Sequence, residues 1–337
     1  MTSNPLLDVL TREGVLINVS VRYWRAAKKL QAQDLGLDPD DVTDRLISLG
    51  HKRLLPKEQL AAFALIESRA HALVDANTFP FLNGLGHFLP NAKLQETTAR
   101  LDALEAEFHA ERARFTQRYS RLRSEAIQEW HEAARKLVAN PDRMVAAIEA
   151  SFPQADNMDR YFGFGVNLFQ IRVPEGLEMD LVQAGDQQRI VAARYEAEQN
   201  ARRQIESGVE TFVGDCVASL REQTATLCGE MLVSMRDGKS GVHQRTLNRL
   251  VSFIDQFKSL NFAGDGELEA RLESVRRQFL TKTAEEYRDN ATARRKLDNG
   301  IRSLADAARE LARSDTREVV ERFGQMGVRR FTLSDAA

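Results

Sequence analysis

Three long stretches of the chain repeat apolar residues at intervals of three, four or seven positions. The first covers residues 93–139, and its stripe consists of Leu101, Leu104, Phe108, Phe115, Tyr119, Leu122, Ala126, Trp130, Ala133 and Leu137. The second covers residues 205–235, and the third covers residues 268–311. A shorter run at residues 246–260 connects the second to the third. Narrow stripes of this period predict long helices that pack in antiparallel, coiled-coil-like pairs.

Three shorter segments interrupt the helical pattern and predict strands. Residues 15–24 alternate between apolar and polar side chains, which is the period of a half-buried strand. Residues 78–90 carry apolar side chains on both sides of Asn83-Gly84, a strong hairpin signal. Residues 161–173 are rich in strand formers. We expect one small sheet at the end of a helical body, so the predicted fold is mainly α with a minor α+β part.

The predicted organisation has three consecutive parts. Residues 1–92 form a strand-helix region with the apolar hairpin, and residues 25–32 and 40–49 within it look helical. Residues 93–315 form the long-helix body, which the strand-like segment at 161–173 interrupts. Residues 316–337 form a C-terminal tail.

Composition and charge limit the class of partner. The 337 residues are 43% hydrophobic and 28% charged, which is typical of long helices. Lys and Arg total 47 against 49 for Asp and Glu, whereas a duplex-coating protein is usually basic. Basic clusters occur at Lys28-Lys29, Lys52-Arg53, Arg202-Arg203, Arg294-Arg295-Lys296 and Arg329-Arg330. We interpret them as solvated helix faces and do not expect nucleic acid as the partner.

The chain predicts a cytoplasmic protein without a membrane span. Its first residues contain an Asp and a Glu and lack the apolar run of a signal peptide. No stretch approaches the roughly 18 apolar residues that span a bilayer. Cys216 and Cys228 fall on one predicted helix about 18 Å apart, which is too far for a disulfide within that helix.

Local motifs predict no catalytic, cofactor-binding or metal-binding residue. Gly238-Lys239-Ser240 resembles the end of a phosphate-binding loop, but Val233 stands where the first glycine is required. None of the six histidines has a Glu three residues earlier, the spacing of metal sites in helical bundles. An enzyme whose site combines distant residues remains an alternative.

Two apolar segments and the C-terminal segment supply candidate interface residues. These candidates are Phe79, Phe81, Leu85 and Phe88 in the hairpin, Phe162, Phe164 and Phe169 in the third strand, and Arg329, Arg330 and Phe331 near the C-terminus. The hairpin is too apolar for an ordinary exposed loop, so it indicates either a subunit contact or a satellite core beneath the helix ends.

Several stretches resemble an uncharacterised family of bacterial and phage proteins with a domain of unknown function. They are VLINVSVRYWRAAKKL, LGHKRLLP, FPFLNGLGHFLPNAKL and VHQRTLNRLVSFIDQFKSLNF. Genes of that family often lie on prophages or other mobile elements, near MoxR-type AAA+ ATPases and von Willebrand factor A-like proteins. The resemblance implies a component of a larger assembly that such an ATPase remodels, and it implies no catalytic residue.

These observations favour a non-enzymatic structural subunit that assembles with copies of itself. The long stripes and the apolar segments are the features behind this expectation. The alternative is a nucleic-acid-associated binding module of a mobile element, which would use one Arg-rich helix face.

Overall fold

The computed structural model describes residues 5–35, 49–84, 86–170, 187–237 and 242–334, which form a mainly α fold with a minor β part, as predicted. Its helices are α1 Pro5–Glu13, α2 Ala61–Asn77, α3 Asn91–Leu137, α4 Pro141–Glu149, α5 Gln187–Asp237, α6 Gln244–Leu260, α7 Gly266–Phe279, α8 Ala284–Asp289, α9 Ala291–Arg313 and α10 Arg317–Ser334. Its strands are β1 Gly14–Arg22, β2 Ala27–Lys29, β3 His51–Arg53, β4 Phe79–Phe81, β5 Gly86–Pro90 and β6 Gly163–Phe169.

The chain divides into two compact units, each built from separate stretches of sequence. Unit 1 consists of Met1–Ile17, Asn77–Gln95 and Leu168–Ala337, and unit 2 consists of Asn18–Ala76 and Glu96–Asn167. The sequence predicted three consecutive parts instead. The structure divides the chain differently because β1, α2, α3 and β6 each contain a point where the chain passes from one unit to the other.

The predicted strands come together in one four-stranded sheet of order β4-β5-β1-β6. Strands β4 and β5 form the expected antiparallel hairpin, with Phe79 opposite Phe88. Strand β1 pairs antiparallel with β5 and places Gly14 opposite Pro90. A Cβ atom at Gly14 would lie 2.5 Å from both the Leu89 carbonyl oxygen and a ring atom of Phe88, so the close pairing requires glycine here.

The core of unit 1 is a set of helices packed around α5. Helix α9 runs antiparallel along α5, α7 and α8 pack against α9, and α10 packs on both α1 and α5. The buried stripe of α5 consists of Val209, Phe212, Val213, Cys216, Val217, Leu220, Leu227, Cys228 and Met231. This stripe matches the predicted second helix. Burial of one apolar stripe per helix supplies the main stabilisation of such a body.

The prediction of one continuous helix over residues 268–311 is wrong, because the structure divides it into α7, α8 and α9. Thr283 begins α8 with a capping box, in which its hydroxyl accepts from the Glu286 N–H and the Glu286 carboxylate accepts from the Thr283 N–H. Asn290 begins α9 by accepting a hydrogen bond from the Ala293 N–H. These local caps start new helices although the apolar spacing continues.

The core of unit 2 is mostly aromatic and is centred on Phe63 of α2. The Phe63 ring stacks on Tyr23 at 5.5 Å and contacts the rings of Phe108, Phe115 and Phe162 at 5.0–5.9 Å. Edge-to-face and offset geometries such as these add to the stabilisation from burial. The predicted stripe of α3 supplies one wall of this core.

Residues 25–31 are not helical and Ala32 only begins a short 3-10 helix, so the prediction of a helix over residues 25–32 is wrong. Strand β2 pairs antiparallel with β3 in a separate two-stranded sheet. Backbone hydrogen bonds extend the pairing beyond both ends, from Leu54 N to Ala26 O at 2.7 Å and from Leu30 N to Gly50 O at 3.0 Å. Pairing with β3, which lies more than 20 residues later in the chain, determines the strand conformation of β2. Local helix propensity alone therefore predicts the wrong structure here. The helix predicted over residues 40–49 lies outside the described residues except for position 49.

Candidate functional site

The apolar hairpin residues predicted as an interface lie in the core of unit 1. Phe79, Phe81 and Phe88 are all buried, and their rings contact Phe212 of α5 or Phe262 after α6. The structure thus agrees with the alternative interpretation of this segment, a core beneath the helix ends. Leu85 lies outside the described residues.

The candidates on the third strand divide between buried and partly exposed positions. Phe162 and Phe164 are buried against Phe108 of α3, in the aromatic core of unit 2. Phe169 is half-buried and its ring lies against Gly86 of β5 in unit 1. Arg329, Arg330 and Phe331 fall on the backbone of α10, and their side chains lie outside the described part of the chain.

A surface groove of about 490 Å³ lies between α5 and α6 in unit 1. Its lining residues are Ser219, Glu222, Gln223, Thr226, Leu227 and Glu230 on α5, and Arg249, Ser252, Phe253 and Gln256 on α6. On each helix these positions recur at intervals of three and four residues from the first one, as single residues or adjacent pairs, so each wall is one helical stripe. The α5 wall extends about 17 Å at the helical rise of 1.5 Å per residue.

The groove has an apolar floor and polar walls. Leu227 is buried at its base and Phe253 is half-buried, whereas Glu222, Gln223 and Thr226 are exposed. Val233 is 56% exposed and continues the α5 stripe beyond Glu230. A floor of this kind with polar groups at its edges is typical of sites that bind a peptide or a helix.

One ion pair connects the two walls of the groove. The Arg249 Nη2 atom lies 2.7 Å from Glu230 Oε2, and both side chains are at least half exposed. Exposed pairs contribute at most about 1 kcal/mol, so a bound molecule can replace this contact at little cost. Glu222 has no ion pair with any residue that the structure describes, so the α5 wall carries excess negative charge.

A buried polar network fixes α5 on the side away from the groove. The Arg221 Nε atom lies 2.7 Å from Asp265 Oδ2, and Arg221 Nη1 donates to the Leu311 carbonyl at 2.8 Å. Asp265 also caps α7 by accepting from the Leu268 N–H. The Asn261 side chain accepts from the Asp265 N–H. Because these groups satisfy one another, the network holds α5, α7 and α9 in one arrangement.

The two thiols of α5 are buried structural groups. Burial raises the pKa of Cys228 to about 12 and the pKa of Cys216 well above its ordinary value. Both thiols therefore remain protonated at neutral pH, and protonated thiols are poor nucleophiles. Within the described ranges, no group of three or more His, Cys, Asp or Glu side chains could hold a metal ion. In the same ranges no helix is both long and apolar enough to cross a membrane.

Comparison with known proteins assigns a family. Residues 11–287 match the DUF3150 family, which is described as a protein of unknown function. The chain belongs to the DUF3150 family. The match extends over the sheet, the α3 core and both walls of the groove, so the DUF3150 region includes most of both units. No curated protein and no solved structure matches this DUF3150 chain.

The sequence did not indicate the groove. Its lining residues form ordinary polar stripes on two helices, and such stripes look the same as any solvated face. The signal that exists is the exposed Val233 in line with Thr226 and Glu230, but its meaning depends on which helix lies beside α5.

Proposed function

We propose that this DUF3150 protein is a non-enzymatic structural subunit that assembles with copies of itself, and that the α5–α6 groove receives the end of α10 from another copy. The observation that carries the proposal is the groove itself, an open channel with an apolar floor that runs about 17 Å along α5. A groove between two helices accommodates the apolar face of a third helix.

Charge complementarity supports α10 as the occupant. The α5 wall carries Glu222 and Glu230, and only Glu230 has a cationic partner among the described residues. The last part of α10 has the sequence VRRFTLS, which combines two arginines with Phe331 and Leu333. These apolar side chains suit the groove floor, and the arginines suit its acidic wall.

This arrangement differs from the one that the apolar hairpin suggested. Phe81 and Phe88 are buried in unit 1, so they do not supply the proposed contact. The proposed contact is heterologous, since the surface on one copy differs from the surface on the next. Such contacts produce closed rings when the rotation closes and filaments when it does not.

The test is a charge exchange between the groove and α10. We expect light scattering to show an oligomer for the unmodified protein and smaller species for both Glu222→Arg and Arg330→Glu. The variant with both changes should regain the oligomer, because the attraction is restored in the opposite sense. A monomer for the unmodified protein, or a double variant that fails to recover, would contradict the proposal.

Glu310→Arg is the matched control. Glu310 is exposed on α9 and does not line the groove, so the same reversal of charge should leave the native mass unchanged. Equal loss of assembly in this control would show that net charge, rather than the groove, governs association.

The proposal includes an AAA+ ATPase as a second partner and a phage or another mobile element as the origin of the gene. Its support is the resemblance to proteins encoded near MoxR-type ATPases. We expect a tagged DUF3150 protein to retain such an ATPase in a pull-down, with release that depends on ATP hydrolysis. Failure to retain it would remove the ATPase from the proposal and leave self-assembly untouched.

A further inference from the structure

An exposed ion pair joins the two walls of the α5–α6 groove at one of its ends. Glu230 is the last α5 residue of the lining and Arg249 is the first α6 residue, so the pair lies where the chain passes from α5 to α6. The Arg249 Nη2 atom lies 2.7 Å from Glu230 Oε2, and the two side chains are 61% and 50% exposed. We call this pair the latch. A cation that enters this end of the groove meets a carboxylate that is already paired.

The latch lies one helical turn from the apolar floor of the groove. Leu227 precedes Glu230 by three residues on α5, and Phe253 follows Arg249 by four residues on α6, so the members of each pair share a helix face. Leu227 is buried and Phe253 is half-buried. A helix that sets its apolar side chains on this floor therefore brings its neighbouring charged groups next to the latch.

The latch can open without disturbing the walls of the groove. Among the residues that the structure describes, Arg249 has an ion pair with Glu230 alone. Asp255 and Lys258 of α6 pair instead with residues of α7, outside the groove. The buried Arg221 network holds α5 on its other side. These contacts remain when the Arg249 side chain turns away, so the two helices keep their positions.

We infer that the latch is an autoinhibitory contact that weakens the binding of the α10 end in the groove. The inference rests on the proposed function, because it assigns a regulatory role to the same site. Glu222 and Glu230 are the acidic groups of the α5 wall, and they lie eight residues apart, about 12 Å at the helical rise. While Arg249 neutralises Glu230, Glu222 alone attracts the arginines of α10.

The latch reduces the affinity of the groove without blocking it. An exposed ion pair changes an equilibrium constant by at most about fivefold, because water and salt weaken it and two flexible side chains must be ordered. An incoming arginine can therefore replace Arg249 at Glu230. The consequence is that the latch raises the protein concentration at which copies begin to associate.

The experiment measures the concentration of half-assembly of the full chain by light scattering over a dilution series. Arg249→Gln removes the cation of the latch and should lower this concentration by about two- to fivefold, since Glu230 is then free to attract α10. Arg249 is exposed, so far-UV circular dichroism and the urea midpoint should not change.

Arg245→Gln is the matched control. Arg245 is exposed on α6 one turn before Arg249, does not line the groove and has no ion pair with any residue that the structure describes. Its substitution makes the same change in net charge. The concentration of half-assembly should stay within about 1.5-fold of that of the unmodified protein at physiological salt, which screens distant charges.

A double-variant comparison tests whether Arg249 acts through Glu230. In a Glu230→Gln background the latch has no anion to release. Adding Arg249→Gln to that background should change the concentration of half-assembly by less than about 1.5-fold, because two residues that act through one contact are not additive. An equal gain in both backgrounds would show that Arg249 acts through net charge and would overturn the inference.

Three further outcomes decide against the latch. An unchanged concentration of half-assembly in Arg249→Gln, or an equal decrease in Arg245→Gln, would remove the autoinhibitory role and leave the proposed groove contact standing. An increased concentration in Arg249→Gln would make Arg249 a contact for the incoming helix instead. Absence of assembly in the unmodified protein and in Arg249→Gln alike would overturn the proposed function and the latch together.

Discussion

Among the residues that the structure describes, Arg221–Asp265 in unit 1 and Lys52–Asp34 in unit 2 are buried ion pairs, and they differ in how many groups they serve. In unit 1, Arg221 is 3% exposed and bonds to Asp265, to the Leu311 carbonyl and to the Ser314 hydroxyl. In unit 2, Lys52 has one described partner, Asp34, whose other oxygen accepts from the Gln31 N–H. Arginine presents several donors in a planar fork, whereas lysine acts as a point charge.

The difference corresponds to what each pair connects. Arg221 joins α5 to the start of α7 and the end of α9, so one side chain fixes three elements. Lys52 joins β3 to a short 3-10 helix, Ala32–Leu35, and leaves neighbouring basic side chains exposed. The first pair therefore specifies the packing of helices, while the second anchors one strand of a small sheet to the segment that precedes it.

The largest expected effect is that of Arg221→Met. The change leaves Asp265 charged and buried without its cation, so unit 1 should lose about 3–5 kcal/mol of unfolding free energy. Urea unfolding followed by far-UV circular dichroism measures it. Arg302→Met is the control: it breaks an exposed ion pair on α9 and should lower the unfolding free energy by no more than about 0.5 kcal/mol. Similar losses in both variants would contradict the role assigned to the network.

Lys52→Met should lower the unfolding free energy by a smaller amount, about 2 kcal/mol. The reason is that Lys52 has a single described partner and that Asp34 keeps its hydrogen bond from the Gln31 N–H. Tryptophan fluorescence measures this loss, since Trp24 and Trp130 are the two tryptophans of the chain and both belong to unit 2. Lys28→Met is the control on the facing strand and should leave the fluorescence transition unchanged. A loss as large as that of Arg221→Met would erase the contrast between the two pairs.

The smallest expected effect concerns Tyr119, which is buried and donates to the Pro153 carbonyl at 2.7 Å. Burial raises the pKa of Tyr119 from its ordinary value of 10 to about 12. The folded state therefore favours the neutral phenol. This contribution is fully present below about pH 10 and is lost as the pH rises to about 12.

Tyr119→Phe should cost about 1 kcal/mol at neutral pH, through the lost hydrogen bond. Between about pH 8 and about pH 11 its stability should fall by about 1 kcal/mol less than that of the unmodified protein. Urea unfolding followed by tryptophan fluorescence at both pH values gives the comparison. Tyr23 is present in both proteins, so their difference isolates Tyr119. Parallel declines would show that Tyr119 titrates normally.

Much of the helical framework could be predicted from the sequence because the apolar stripes are long. Leu101, Phe108 and Tyr119 fall on the predicted stripe of α3, and all three are buried. One long helix was predicted wrongly, although the sequence contains the signal that divides it. Thr283 with Glu286 has the sequence of a capping box, which marks the start of a helix. The prediction relied on the continuous apolar spacing and did not use this local signal.

The two-stranded sheet and the groove could not be predicted in the same way. The two-stranded sheet consists of two strands of three residues each, too short for any period to appear. Its register, with Lys28 opposite Lys52, arises only when the fold brings the two segments together. The groove likewise depends on α6 lying beside α5. The sequence of either helix alone does not indicate which helix packs beside it.

The chain passes between the units at four places, after Ile17, Ala76, Gln95 and Asn167, and each place falls inside a helix or a strand. Neither unit is therefore encoded by one continuous stretch of gene. A single recombination event cannot transfer one unit without breaking a strand or a helix of the other. We expect DUF3150 genes to inherit both units together, so that gains and losses of sequence among relatives occur in connecting segments rather than at the unit boundaries.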